Sequence, residues 1–179
     1  MATPMYNVSR CDPSTFTPPQ LNGVSLSNVY ATTVNNYTYP LLDGWRYSQE
    51  SDPGAVASFC NVTITYTHPS YNDSVGIEMW LPLEGWNERL QAIGGGGWAA
   101  GRFVLSYAGM LGAVADGYAT VSTDAGVDGM ADFTSWVLNE DGNFNLAALE
   151  SFGHTSLHEQ VRPFLFEKTF QLKMTVIRI

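Results

Sequence analysis

Positive charge is scarce in this 179-residue chain: eight Lys and Arg stand against 17 Asp and Glu, giving a net charge of -9 and a pI near 4.5. Nothing here neutralises a run of phosphates, which excludes a nucleic-acid partner. Long apolar runs are lacking too, and no stretch approaches the length of a membrane span. Cysteine stops at two, Cys11 and Cys60, so the chain has room for one disulfide at most. A bridge and a pair of buried thiols both fit that count. The opening "MATPMYNVSRC" has neither a basic n-region nor an apolar h-region and is no signal peptide.

What is present is globular: 45% apolar and 14% charged residues, enough for one core and one domain. Four N-x-[ST] sequons, at Asn7, Asn36, Asn61 and Asn72, fall in the first half of the chain. Their density predicts a secreted, glycosylated protein whose signal is not in this chain. On the loop-entropy model a bridge joining the N-terminal segment to the first strand stabilises by roughly 3–4 kcal/mol.

The polar stretch from residue 1 to about residue 50, with its Pro, Asn and Thr, reads as coil and short turns. "FCNVTITYT" then alternates, with Val62, Ile64 and Tyr66 on one face. "SVGIEMWLPL" alternates again through Val75, Ile77, Met79 and Leu81. The polar "HPSYND" between them predicts an antiparallel hairpin. "RLQAI" reads as a third, short strand. "WAAGRFVLSYAGMLGAVADG" reads as a helix with Gly117 at its C-terminal end, and "YATVSTD" as a buried fourth strand. A helix between two apolar strands is a βαβ unit and implies a parallel pair. "AGVDGMADFTSWVLNEDGN" reads as a polar loop. Asn145 is placed to cap a helix that Pro163 ends.

Four consecutive glycines, Gly94–Gly97, interrupt the hand-over from the third strand to the helix. In open α/β sheets ligands bind at that end of a strand. The spacing does not give G-x-G-x-x-G, no G-K-[ST] follows, and no basic residue precedes Arg102, so a nucleotide loop is a poor fit. Backbone amides that receive the negative charge of a tetrahedral intermediate fit better. A tight turn whose glycines serve only close packing is the competing reading.

The run "FCNVTITYTHPSYNDSVGIEMWLPLEGWNERLQAIGGGGWAAG", followed at matching distances by "GYATVSTDAG" and "FGHTSLHE", closely resembles the fungal tannase and feruloyl esterase family of secreted serine hydrolases. The resemblance runs from about Cys11 to Glu159. It implies an incomplete α/β-hydrolase core of hairpin plus βαβ unit, without the nucleophile-elbow strand, the lid domain and the C-terminal strands. It implies hydrolysis of phenolic-acid esters, such as plant cell-wall or gallate esters, by a serine nucleophile. It also implies a disulfide between Cys11 and Cys60, and backbone oxyanion donors at Gly95, Gly96 and Gly97. The family's calcium belongs to the lid, so no cofactor and no metal is expected in this segment.

The sequence departs from the family in ways that bear on activity. No serine stands in C-S-x-G-G or G-x-S-x-G: Ser106, Ser122 and Ser156 lack the flanking glycines of an elbow. Val127 follows "TDAG" where the family usually has His. No catalytic residue is therefore assigned in this chain, which is expected to be inactive alone. Residues 1–159 read as the N-terminal part of the hydrolase domain. Residues 160–179, "QVRPFLFEKTFQLKMTVIRI" from its Gln onward, read as a divergent tail from truncation or a shifted frame. The fourth strand is then expected to lack its elbow neighbour and to leave an apolar edge. The alternative function is a secreted, non-catalytic binding module for phenolic or sugar ligands.

Other residues have competing readings. His154 and His158 share a helix face at metal-ligand spacing, but no third ligand is evident. His68 reads as solvated in the hairpin turn. Asp124 either points into the site or caps the turn after its strand. Asp128, Asp132, Glu140 and Asp141 lack calcium-loop spacing. Trp80, Trp86 and Trp98 either pack the core or line an aromatic pocket.

Overall fold

The computed structural model describes residues 11–16, 23–39, 54–71, 73–127 and 132–166. The alternating runs pair as expected: β2 (Ala57–Thr67) and β3 (Val75–Pro82) are antiparallel, with Val62 opposite Met79 and Ile64 opposite Ile77. Every residue of β3 is buried, because layers cover both of its faces.

The stretch read as coil holds a strand, β1 (Ser25–Tyr37), antiparallel to β2. Two register shifts, at Leu26/Asn28 and Val34/Tyr37, reset its side-chain period. That is why its sequence shows no sustained alternation. As an outer strand it also tolerates the Ser, Thr and Asn that made it look like a loop.

The βαβ unit is present. The three-residue β4 (Leu90–Ala92) runs parallel to β5 (Ala119–Thr123), and α1 (Val104–Ala115) joins them. Among the described residues the sheet has five strands in the order β1-β2-β3-β5-β4. β5 is therefore interior, buried at every position, and the expected apolar edge on it does not exist. The edge falls on short, half-buried β4.

The helix α1 begins at Val104, six residues later than the sequence suggested, because Gly97 (φ 61°) and Arg102 (φ 51°) leave the right-handed helical path. It ends as expected. Gly117 takes φ 83°, its N–H donates to Val114 O, and the N–H of Tyr118 donates to Ala113 O.

Within the polar loop a short helix, α2 (Thr134–Val137), buries Trp136 and Val137 against Ala100, Ala125 and Val127. Asn145 caps as expected, its side chain accepting from Ala148 N at 3.2 Å. The helical run that follows is α3 (Leu146–Glu150), a π turn (Ser151–Thr155) and α4 (Ser156–Phe166). Pro163 does not end it but sits inside its last turn. Glu159 and Gln160 are both buried within α4.

One sheet face packs Phe59 and Trp80 against Met110, Leu111 and Val114 of α1. The other carries Val62, Ile64, Tyr66, Ile77, Met79 and Val121, covered in part by Phe16 and by Val161 of α4. On that second face the predicted bridge is formed: Cys11 and Cys60 are disulfide-bonded with Cα atoms 5.5 Å apart. It closes a loop spanning 49 positions, so the double variant Cys11→Ser/Cys60→Ala is expected to lose about 4 kcal/mol. Urea unfolding reads this directly, and an unchanged midpoint contradicts it.

Candidate functional site

The N–H of Ile93 makes the last ladder bond of β4, to Val121 O at 2.8 Å, and the chain then leaves the sheet through the glycines. Gly94, Gly96 and Gly97 are exposed and Gly95 is half-buried. The loop folds back on itself, with Ala99 N–H donating to Gly96 O at 3.1 Å and Ser106 Oγ to Gly94 O at 2.9 Å. Among the described residues, the amides of Gly94, Gly95 and Gly97 have no protein acceptor.

Close approach dictates glycine here. A Cβ on Gly95 would lie 1.8 Å from Ala99 O, and one on Gly101 would lie 2.5 Å from Ser122 Oγ and 2.6 Å from Thr123 O. The loop thus presses against both its own return and the end of β5. Packing and amide exposure coexist at this turn.

Arg102 fastens the far end of the loop. Its N–H donates to Ser122 Oγ at 3.0 Å, Nη1 to Asp124 Oδ2 at 2.7 Å and Nε to Glu78 Oε2 at 3.4 Å. Glu78 is buried and accepts three more bonds: Asn61 Nδ2 at 2.9 Å, Trp80 Nε1 at 2.8 Å and Tyr107 OH at 3.1 Å. Burial works against the charge on Arg102, but Asp124 and Glu78 outweigh it and raise its pKa. Burial and then Glu78 push the Tyr107 phenol up to about 12. Asp124 caps the turn after its strand, accepting from Gly76 N and Gly126 N at 2.8 Å each. It pairs with Arg102 as well. Gly76 makes room for this pair, since a Cβ there would sit 2.0 Å from Arg102 Nη1. Of the charged members of this cluster, the sequence points to Asp124 alone. The overlooked signal was Glu78, a lone charge in an apolar strand.

The three serines are all fully buried. Ser106 bonds Gly94 O, Ser122 accepts from Arg102 N, and Ser156 Oγ donates to Ser151 O at 2.7 Å. None presents a free hydroxyl to solvent.

His68 is not solvated. It is buried, with Nδ1 2.5 Å from Asp73 Oδ2 and Nε2 3.1 Å from Glu159 Oε1, and Tyr66 OH donates to Glu159 Oε2 at 2.6 Å. The pattern missed it because its partner Glu159 lies 91 positions away on α4. Burial opposes protonation of His68, but the hydrogen bonds to Asp73 and Glu159 outweigh it and raise the pKa.

His154 and His158 are exposed with their rings 6.4 Å apart, and among the described residues no three potential metal ligands converge. Asp132 accepts from Thr134 N and Asp141 from Asn143 N; Asp128 lies outside the described residues. Trp80 and Trp86 are buried. Trp98, next to Gly97, is 50% exposed and stacks on Phe133 at 5.2 Å, with Trp136 and Phe152 behind it.

No family model matches the chain. By sequence it is 39% identical over 153 residues to a probable feruloyl esterase of Arthroderma benhamiae, covering 83% of this chain and 26% of that protein. It is 32% identical over 120 residues to a tannase of Aspergillus oryzae, covering 65% of this chain and 19% of that protein. The chain thus spans about a quarter or less of the length of these relatives. By fold it is similar to the tannin acyl hydrolase of Aspergillus niger, with a TM-score of 0.65 over 90% of this chain and 30% of that one, at 23% identity. At that identity the likeness speaks for the fold.

Two outcomes follow from this geometry. Gly95→Ala meets backbone oxygen and is expected to cost about 3 kcal/mol. Gly97→Ala meets open space and pays only for its left-handed φ, about 1 kcal/mol. Urea midpoints in the reverse order contradict the loop described here. The raised pKa of His68 stabilises the fold fully below about pH 6.5, and that contribution is lost as pH rises through the folded value. Wild type should therefore lose stability relative to His68→Gln on going from pH 5.5 to 8.5. A difference that does not vary with pH contradicts the bridging role.

Proposed function

We propose, from the premise that this chain is related to the fungal tannase and feruloyl esterase family, that it forms the N-terminal part of a secreted carboxylic ester hydrolase and carries the oxyanion-binding loop of that enzyme. In this reading β2, β3, β5 and β4 are the opening strands of an α/β-hydrolase sheet, and β1 is an added outer strand. The observation that carries the proposal is the placement of glycine amides without protein acceptors at the carboxyl end of a strand in a parallel pair.

The chemistry is acyl transfer. A serine oxygen attacks the ester carbonyl, a histidine takes the serine proton, and the carbonyl oxygen becomes an oxyanion. Of the donors implied at Gly95, Gly96 and Gly97, the amides of Gly95 and Gly97 are the ones open to that charge, since Gly96 forms a bridge with Ala99; one such donor is worth about a 100- to 1,000-fold change in rate. Arg102 acts as a positioning residue, because its two carboxylate partners hold the loop against the end of β5. In this reading the nucleophile comes from outside the described residues: no serine of the sequence stands in an elbow motif, and Ser106, Ser122 and Ser156 are buried and hydrogen-bonded. The names of the relatives, a probable feruloyl esterase and a tannase, support phenolic-acid esters as the substrate class. Trp98 beside the loop offers an aromatic face for such a ring.

The isolated chain is expected to show no labelling by a serine-reactive fluorophosphonate and no hydrolysis of a feruloyl ester above background. Joined to the remaining portion of the Arthroderma benhamiae relative, it is expected to gain both. Labelling of the chain alone contradicts the placement of the nucleophile. A chimera that folds by circular dichroism yet cleaves no ester contradicts the proposed function.

A further inference from the structure

The proposed ester chemistry leaves the sequons unused, and two of them have opposite surroundings. Asn36 sits in the second bulge of β1. Val34 pairs with Phe59 and Tyr37 with Ala57, so Asn35 and Asn36 together oppose Ser58. Asn36 takes φ 50°, a conformation Asn tolerates, and its N–H donates to Ser58 Oγ at 3.0 Å. Asn36 and Thr38, the two ends of the sequon, are both exposed, and β1 is the outer strand of the sheet.

Asn61 is the reverse case. It lies within β2, between β1 and β3, opposite Thr32 and Trp80. Its Nδ2, the atom that would carry a glycan, donates to buried Glu78 at 2.9 Å, and its Oδ1 is buried as well. A sugar there would displace the carboxylate that Arg102, Trp80 and Tyr107 also hold.

We infer that Asn36 is an N-glycosylation site and that folded protein carries no glycan on Asn61. The inference rests on the secretion proposed above. The donor is a lipid-linked oligosaccharide diphosphate. A bond forms between Asn36 Nδ2 and the anomeric carbon of the sugar, the bond from that carbon to the diphosphate oxygen breaks, and the amide gives up one proton as the lipid diphosphate leaves. The glycan then stands on β1, the outer strand of the sheet among the described residues. An unpaired edge recruits strands from other chains, and a bulky hydrophilic group blocks that approach. Asn7 and Asn72 lie outside the described residues.

The test is site occupancy in the full chain, secreted by a glycosylating yeast behind a supplied leader. Enzymatic glycan removal in heavy-oxygen water marks each formerly modified Asn by mass, in both the secreted and the cell-associated pools. The mark is expected at Asn36 in most molecules and is not expected at Asn61 in soluble protein. Asn36→Gln and Thr38→Ala should each remove one glycan and raise the aggregated fraction roughly twofold or more. Asn61→Gln should leave the glycan mass of soluble protein unchanged. An unmarked Asn36, or a marked Asn61 in soluble protein, overturns the assignment. Loss of the Asn36 glycan with no change in aggregation overturns its edge-blocking role. Because the leader is supplied and no ester is assayed, these outcomes are independent of natural secretion and of catalytic activity.

Discussion

The guanidinium of Arg102, held between Glu78 and Asp124, is the contact on which the rest of the arrangement depends. It joins the end of the glycine loop to β3 and to the end of β5 through one side chain. A carboxylate as buried as Glu78 is tolerated only when its partners satisfy it, and it accepts four donors from β2, β3, the loop and α1. Two widely separated glycines follow from the same close approach. Gly76 leaves space for the Arg102–Asp124 pair, and Gly101 lets the backbone pass the end of β5. Removing either partner of the pair leaves the other charged and part-buried, so the cluster is retained or lost as a unit.

The parallel β4–β5 pair gives this cluster its setting. Parallel strands need a crossover, α1 provides it, and the crossover begins where the glycines are. On the opposite face of the sheet a second ionic cluster works at a distance from the loop: His68 with Asp73 and Glu159 ties α4 to the turn between β2 and β3. The Cys11–Cys60 bridge fastens the N-terminal segment to the same face. The outer faces are thus held by covalent and ionic contacts, while an apolar core of β-branched and aromatic residues fills the layers between.

Periodicity made the middle of the fold legible. The hairpin, the parallel pair and the Gly117 and Asn145 helix ends all announce themselves in local sequence, because each is decided by residues within a few positions. What stayed hidden is long-range. β1 is obscured by two bulges that reset its alternation. His68 looked like a turn residue because Glu159 meets it only after α4 packs. The order of the sheet, with β5 inside and β4 at the edge, is set by pairing and not by composition. At the site, the glycines were visible as an anomaly, but the ionic cluster beneath them was not, since Glu78, Arg102 and Asp124 meet only once β3, the loop and the end of β5 have packed together. A lone Glu in an otherwise apolar strand was the available clue.

Ester hydrolysis, as proposed for this chain, asks two things of the loop that pull in opposite directions: amides left open to a negative charge, and a backbone that does not move when the charge arrives. Glycine supplies the first and the Arg102 cluster the second. Residue-resolved amide hydrogen exchange tests both at once. The amides of Gly94, Gly95 and Gly97 are predicted to exchange near the rate of an unstructured peptide, while Ile93 and Arg102, whose N–H groups bond Val121 O and Ser122 Oγ, are protected. Strong protection of the three glycine amides, or fast exchange at Ile93 and Arg102, contradicts this account.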